Sequence, residues 1–134
     1  MDLPQTGRRT RHPVTSLRFP RHPNRSLTLM IEIVRVVLSS FPDPESAAEF
    51  VKTMVEERTV ACANILPPAK SFYIWQGELK ETDETVVIFK IPTDRMTRFE
   101  MRLKDLHPYE VPELISLRPD HVLPAYASWV EGNI

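Results

Sequence analysis

Glycine is scarce in this chain, with Gly7, Gly77 and Gly132 the only three in 134 residues. A phosphate-cradling loop or a dinucleotide fingerprint needs several glycines at fixed spacing, so nucleotide-dependent enzymes of those types are excluded. Cysteine is scarcer, being limited to Cys62. One thiol forms no internal disulfide, so no oxidising compartment is called for and the cytoplasm is the expected location. Neither Cys-x-x-Cys nor His-x-x-x-His spacing occurs, which removes the usual zinc motifs. Long apolar runs are missing too: the stretch around Val36 to Leu38 is interrupted by Glu32 and Arg35, well short of the roughly 18 to 20 residues that span a bilayer. No membrane partner is expected.

What is present has the make-up of one ordinary globular domain preceded by a different kind of segment. Residues 1–29 hold six arginines and one acid, leaving eleven basic and seventeen acidic residues beyond. The near-zero net charge therefore conceals a basic tail and an acidic body. Pro4, Pro13, Pro20 and Pro23 punctuate the tail, and such a composition buries too little apolar surface to offset the entropy of ordering it. The reading is a disordered upstream extension with no function of its own. Its arginines also suit an organelle transit peptide or a weak nucleic-acid arm, although the prolines spoil the helix a mitochondrial transit peptide needs. Met30 is a natural start for a folded domain over 30–134, whose acidity argues against nucleic acid as a partner.

Within that domain, Ile31 to Ser39 reads as a strand apolar on both faces, and Asp43-Pro44-Glu45 as a helix start. The helix carries Ala47, Ala48, Val51, Met54 and Val55 at helical spacing and ends near Arg58. Val60 to Leu66 and Ser71 to Leu79 read as one long strand kinked at Pro67-Pro68. A turn is expected at the polar Lys80 to Glu84 run, and a returning strand over Thr85 to Ile91. Thr93-Asp94 is expected to cap a second helix with a buried stripe of Met96, Phe99, Leu103 and Leu106, ended by Pro108. Leu114 to Leu117 supplies a last strand, and Tyr126, Trp129 and Val130 an apolar side for a short terminal helix. The order β-α-β-β-α-β-α predicts an α+β, ferredoxin-like split βαβ sandwich, with two helices on one face of an antiparallel sheet. Apolar residues on both sides of the strands then require cover for the other face. A domain of this size has little chain left to provide it, so association of identical subunits is expected.

Four stretches, in this order and spacing, resemble the CutA, or divalent-ion-tolerance, family: Ala61-Cys62-Ala63-Asn64-Ile65, Tyr73-Ile74-Trp75-Gln76-Gly77-Glu78, His107-Pro108-Tyr109-Glu110-Val111-Pro112-Glu113, and Tyr126-Ala127-Ser128-Trp129. The resemblance covers nearly all of residues 31–132. It implies a homotrimer of ferredoxin-like subunits, related in shape to the PII signalling proteins, whose long hairpins join sheets between neighbours. It also implies tolerance of divalent metals and copper binding, which in some members involves a cysteine ending the first strand and a His-His pair ending the second helix. Here Ser39 and Leu106 stand at two of those three positions, and only His107 matches. One imidazole and one hydroxyl make a poor copper site.

Each candidate residue has a structural and a functional reading. His107, at a helix C-terminus, is either a metal or small-anion ligand or a helix-capping histidine that hydrogen-bonds a carbonyl. Cys62, between Ala61 and Ala63, is a weaker metal candidate or a nucleophile on one reading and a packed small hydrophobe on the other. Tyr73, Trp75, Tyr126 and Trp129 are better suited to interfaces than to a pocket. Glu78 and Lys90, taken to face each other across the hairpin, are either an ion pair or ligand-orienting groups. Asn64, Trp75, Glu78, Lys90 and Tyr109 together are the candidates for an intersubunit cleft. Gly77 is assigned to a bulge or turn. The leading expectation is a trimeric protein of divalent metal (copper) tolerance or binding. The alternative is a PII-like trimeric scaffold or small-effector signalling protein without tight metal binding. No catalytic motif is found; an enzyme built on Cys62 or on Glu78, Lys90 and His107 has only suitable residue types behind it.

Overall fold

The computed structural model describes residues 32–132; the extension expected at 1–29 and the start at Met30 lie outside them. In chain order the elements are β1 (Val34–Phe41), α1 (Pro44–Glu56), β2 (Cys62–Ile65), β3 (Ala69–Trp75), β4 (Glu78–Pro92), a 3₁₀ turn (Thr93–Arg95), α2 (Met96–Leu106), β5 (Ile115–Leu117) and α3 (Pro124–Gly132). Every strand pair is antiparallel, in the order β2-β4-β1-β5, with β3 also paired to β4.

Local chemistry accounts for the first helix. Asp43 Oδ1 accepts the Ser46 N–H at 2.7 Å and Pro44 occupies the first turn, where a missing N–H leaves no bond unmade. Its other end is closed by Arg58 in a left-handed conformation, φ 62°. Arg58 N–H donates to Val55 O at 3.1 Å and Thr59 N–H to Met54 O at 3.0 Å, the paired bonds of a Schellman stop. The Arg102 guanidinium holds the Glu57 carboxylate through two hydrogen bonds, of 3.1 and 2.7 Å. This fastens α2 to the end of α1. The start of α2 differs from expectation. Neither Thr93 nor Asp94 caps it with a side chain; Thr93 Oγ1 donates instead to Glu32 O.

The kinked strand is present as β2 and β3 lying along the same side of β4. Leu66 N–H still donates to Val86 O at 2.9 Å, and pairing resumes with Ala69 opposite Glu84. Three steps on one strand thus match two on the other, so Pro67-Pro68 occupies a bulge where missing N–H groups cost no ladder bond. The hairpin turn is not at Lys80 to Glu84, which lies inside β4. It is at Gln76 (φ 50°) and Gly77 (φ 79°), between the paired Trp75 and Glu78. Positive φ at both central residues is what a tight two-residue hairpin loop demands. The polar run misled because this part of β4 is solvent-exposed, so its charges reflect exposure on a strand rather than a change of direction.

Odd-numbered residues of β1 and β4 face one way: Val37, Phe41, Val87, Phe89 and Ile91 pack with Ala47, Phe50 and Met54 of α1 and Phe99 and Leu103 of α2. Leu106, expected in that stripe, is exposed. On the opposite face α3 covers only one end, where Ala127 and Val130 pack on Val34 and Ala61. Val36, Leu38, Val86 and Ile88 remain half-buried there, with Ile115 and Leu117 exposed beside them. The β3–β4 arm projects as a two-stranded ribbon bearing Phe72, Ile74, Trp75 and Leu79 at 62, 66, 60 and 71% exposure.

Candidate functional site

Pro108 ends α2 and sends His107 out of the helix with extended backbone, φ −69° and ψ 139°. That exit carries the ring under β1, where it stacks on Phe41 with centroids 4.4 Å apart and is only 8% exposed. Nε2 lies 2.8 Å from Ser40 O, and Nδ1 accepts the Tyr109 N–H at 2.9 Å. A ring nitrogen that accepts is unprotonated, so Nε2 carries the hydrogen and donates to Ser40. Both nitrogens are engaged, and as folded the ring offers no lone pair to a metal. His107 is thus carbonyl-bonded, though to β1 rather than to its own helix. Burial pushes its pKa below the ordinary 6.5, outweighing the Ser40 hydrogen bond and the Glu84 charge, which both act to raise it.

Tyr109 extends the set. Its hydroxyl donates to Glu84 Oε2 at 2.8 Å, and its pKa is pushed up to about 12, first by burial and then by Glu84. Glu84 is the last β4 residue paired with β3, so Ser40, His107, Tyr109 and Glu84 form a polar chain tying the loop after α2 to the root of the ribbon.

Cys62 is buried, with Sγ 3.6 Å from the Tyr126 hydroxyl. Burial and the neighbouring Cys62 push the Tyr126 pKa up. Cys62 is paired across the strands with Lys90, whose ammonium donates to Asn64 Oδ1. Trp75 and Glu78 are paired at the ribbon tip, where Glu78 Oε2 accepts from Lys80 Nζ at 3.1 Å. Glu78 and Lys90 therefore do not face each other: both belong to β4, separated by about 40 Å at 3.3 Å per residue. Within one subunit the five cleft candidates fall into three places. Asn64 touches Lys90, Tyr109 sits with His107, and Trp75 pairs with Glu78.

At the positions that depart from the family pattern, Ser39 is fully buried with an unpartnered Oγ, and Leu106 points outward. No group of three or more His, Cys, Asp or Glu side chains is placed to hold a metal among the described residues. Sequence reasoning missed Ser40, Glu84 and Tyr126 as partners of the candidate residues. Only Tyr126 carried a signal, as part of a quoted motif; the others become neighbours through register and loop path.

The comparisons agree with this architecture. Residues 35–133 match the family model described as CutA1 divalent ion tolerance protein. The chain is 41% identical over 95 residues to the divalent-cation tolerance protein CutA of Pyrococcus horikoshii, covering 71% of this chain and 92% of that one. It is 40% identical over 98 residues to the protein of the same name from Thermus thermophilus, covering 73% and 95%. The solved structure of the divalent cation tolerance protein from Thermus thermophilus superposes with a TM-score of 0.72 at 39% identity, over 75% of this chain and 98% of that one. By its sequence and by the course of its backbone, this chain belongs to the CutA1 divalent ion tolerance family.

Proposed function

We propose that the protein acts in divalent-cation tolerance in the cytoplasm as a homotrimer of ferredoxin-like subunits, through the assembly rather than through chelation within one chain. The observation that carries this reading is the uncovered apolar surface: half of the second sheet face, and a ribbon presenting Phe72, Ile74, Trp75 and Leu79. An isolated two-stranded ribbon is marginal in water, while each large apolar side chain buried against a neighbour contributes about 1.5–3 kcal/mol. The family resemblance supplies the number three and the PII-like shape. Copper or another divalent cation is then taken at a seat completed between subunits, since both His107 nitrogens are engaged and Cys62 is enclosed against Tyr126.

Calorimetric titration of the assembled protein with Cu(II) tests this. The affinity of His107→Ala, checked for fold by circular dichroism, is expected to match that of the unaltered protein. A loss of about tenfold or more, the scale of one lost ligand contact, would return the metal to His107 and contradict the reading. The alternative, a PII-like scaffold or small-effector protein without tight metal binding, is favoured by the same engagement of His107. It predicts no copper heat in either protein.

A further inference from the structure

Around Val36, Leu38, Val86 and Ile88 the second face of the sheet is apolar, and one charged side chain is set among them. Lys90 stands there between Val36 on β1 and Cys62 on β2, its register partners on either side. It is half-buried, and its ammonium forms no ion pair among the described residues. Among the described residues its hydrogen-bond partner is the neutral Asn64 Oδ1. An ammonium has three donors, so two remain, and the Asn64 amide adds two more. Cys62, with the Tyr126 hydroxyl 3.6 Å from its sulfur, walls one side. We infer that Lys90 and Asn64 form a seat for a small oxyanion, a free carboxylate or phosphate compound, on the second face of the sheet.

The chemistry points one way. The seat offers N–H donors and a positive charge, and no carboxylate of the described residues pairs with it, so it repels cations and suits an anion that accepts several charge-assisted hydrogen bonds. A few convergent polar groups set in an apolar wall are the usual make-up of a small-molecule site. A free anion is the occupant proposed, and a carboxylate from a neighbouring copy is an outcome of the test; the ribbon's acids have partners within their own chain. Glu78 pairs with Lys80, Glu81 and Asp83 with Lys70, and Glu84 with Tyr109. The strength of the seat rests on the assembly proposed above, because covering copies would remove water from an ammonium that is costly to bury without a counter-charge.

The test is titration of the full chain with inorganic phosphate and, separately, with citrate at constant ionic strength, followed by the Asn64 side-chain amide signals and by calorimetry. Saturable binding of one or both is expected, weakened about tenfold or more in Lys90→Met, as the loss of a charged hydrogen-bond partner implies. Asn64→Asp supplies an internal carboxylate to Lys90 and is expected to weaken binding similarly with the fold intact, so it carries the test if Lys90→Met does not fold. Linear, unsaturable shifts, or variants that bind as the unaltered protein does, would overturn the seat. Light scattering on the same samples separates the two proposals. A single-subunit mass sinks the assembly, with the anion titration read independently. If Lys90→Met falls apart while the unaltered protein binds neither anion, the counter-charge is a neighbour's carboxylate and the free-anion seat is wrong.

Discussion

His107 matches the family's ligand pattern in sequence, yet its place in the fold gives it another task. With Nε2 donating to Ser40 O and Nδ1 accepting from Tyr109 N–H, the neutral ring is the form the fold requires. Its pKa is lowered from 6.5 by burial, so below that value the unfolded chain binds more protons than the folded one and stability declines as pH falls. The contribution is whole above pH 6.5 and is lost progressively as pH drops from there toward the lowered folded value. Melting curves between pH 5 and 8 should show this decline, and His107→Asn should flatten it while lowering stability at neutral pH by about 1–3 kcal/mol through lost stacking and hydrogen bonding. An unchanged pH slope in the variant would remove His107 as its source. Ser39 is the converse case, a fully buried hydroxyl without a partner. Since an unsatisfied buried polar group is costly, Ser39→Ala should hold stability or raise it by up to about 1 kcal/mol in denaturant titrations. A large loss would mean that the hydroxyl is satisfied after all.

Among the elements, those governed by local chemistry were legible in the sequence. Asp43-Pro44 announced the first helix, Pro108 the end of the second, and Pro67-Pro68 the break between β2 and β3. The hairpin turn was not, because the charges of Lys80 to Asp83 stand on an exposed ribbon and imitate a loop, while Gln76 and Gly77 hide the true reversal in two residues. The candidate site was less legible for the same physical reason. Tyr109 and Glu84 are joined by a 2.8 Å hydrogen bond across 25 positions, and no local pattern encodes that contact. The expected Glu78–Lys90 pairing failed with the misplaced turn, since moving the reversal changes every partner across the hairpin. The stop of α1 gives an element-scale prediction. Arg58 holds a left-handed φ of 62°, a conformation that costs a residue with a Cβ about 1–2 kcal/mol and glycine almost nothing. Arg58→Gly should therefore raise the melting free energy by about 0.5–1 kcal/mol, the gain being reduced by glycine's greater freedom in the unfolded chain. Destabilisation would show that the Arg58 side chain matters more than its backbone strain.

For the whole molecule, the decisive feature is an imbalance of cover. Two helices bury one sheet face, α3 reaches only one end of the other, and the ribbon of β3 and β4 stands with apolar side chains in water. Large exposed apolar surface of this kind marks a contact region, and under the proposed assembly copies of the same chain would cover the face and the ribbon. The seat at Lys90 lies on the surface that such copies would cover, so assembly and anion binding are linked physically but tested apart. The most direct measurement is the solution mass by multi-angle light scattering over a range of dilution. A concentration-independent mass near three times the 15.5 kDa of one chain is expected, falling toward one chain in an Ile74→Glu, Leu79→Glu variant. A stable single-chain mass for the unaltered protein would contradict it.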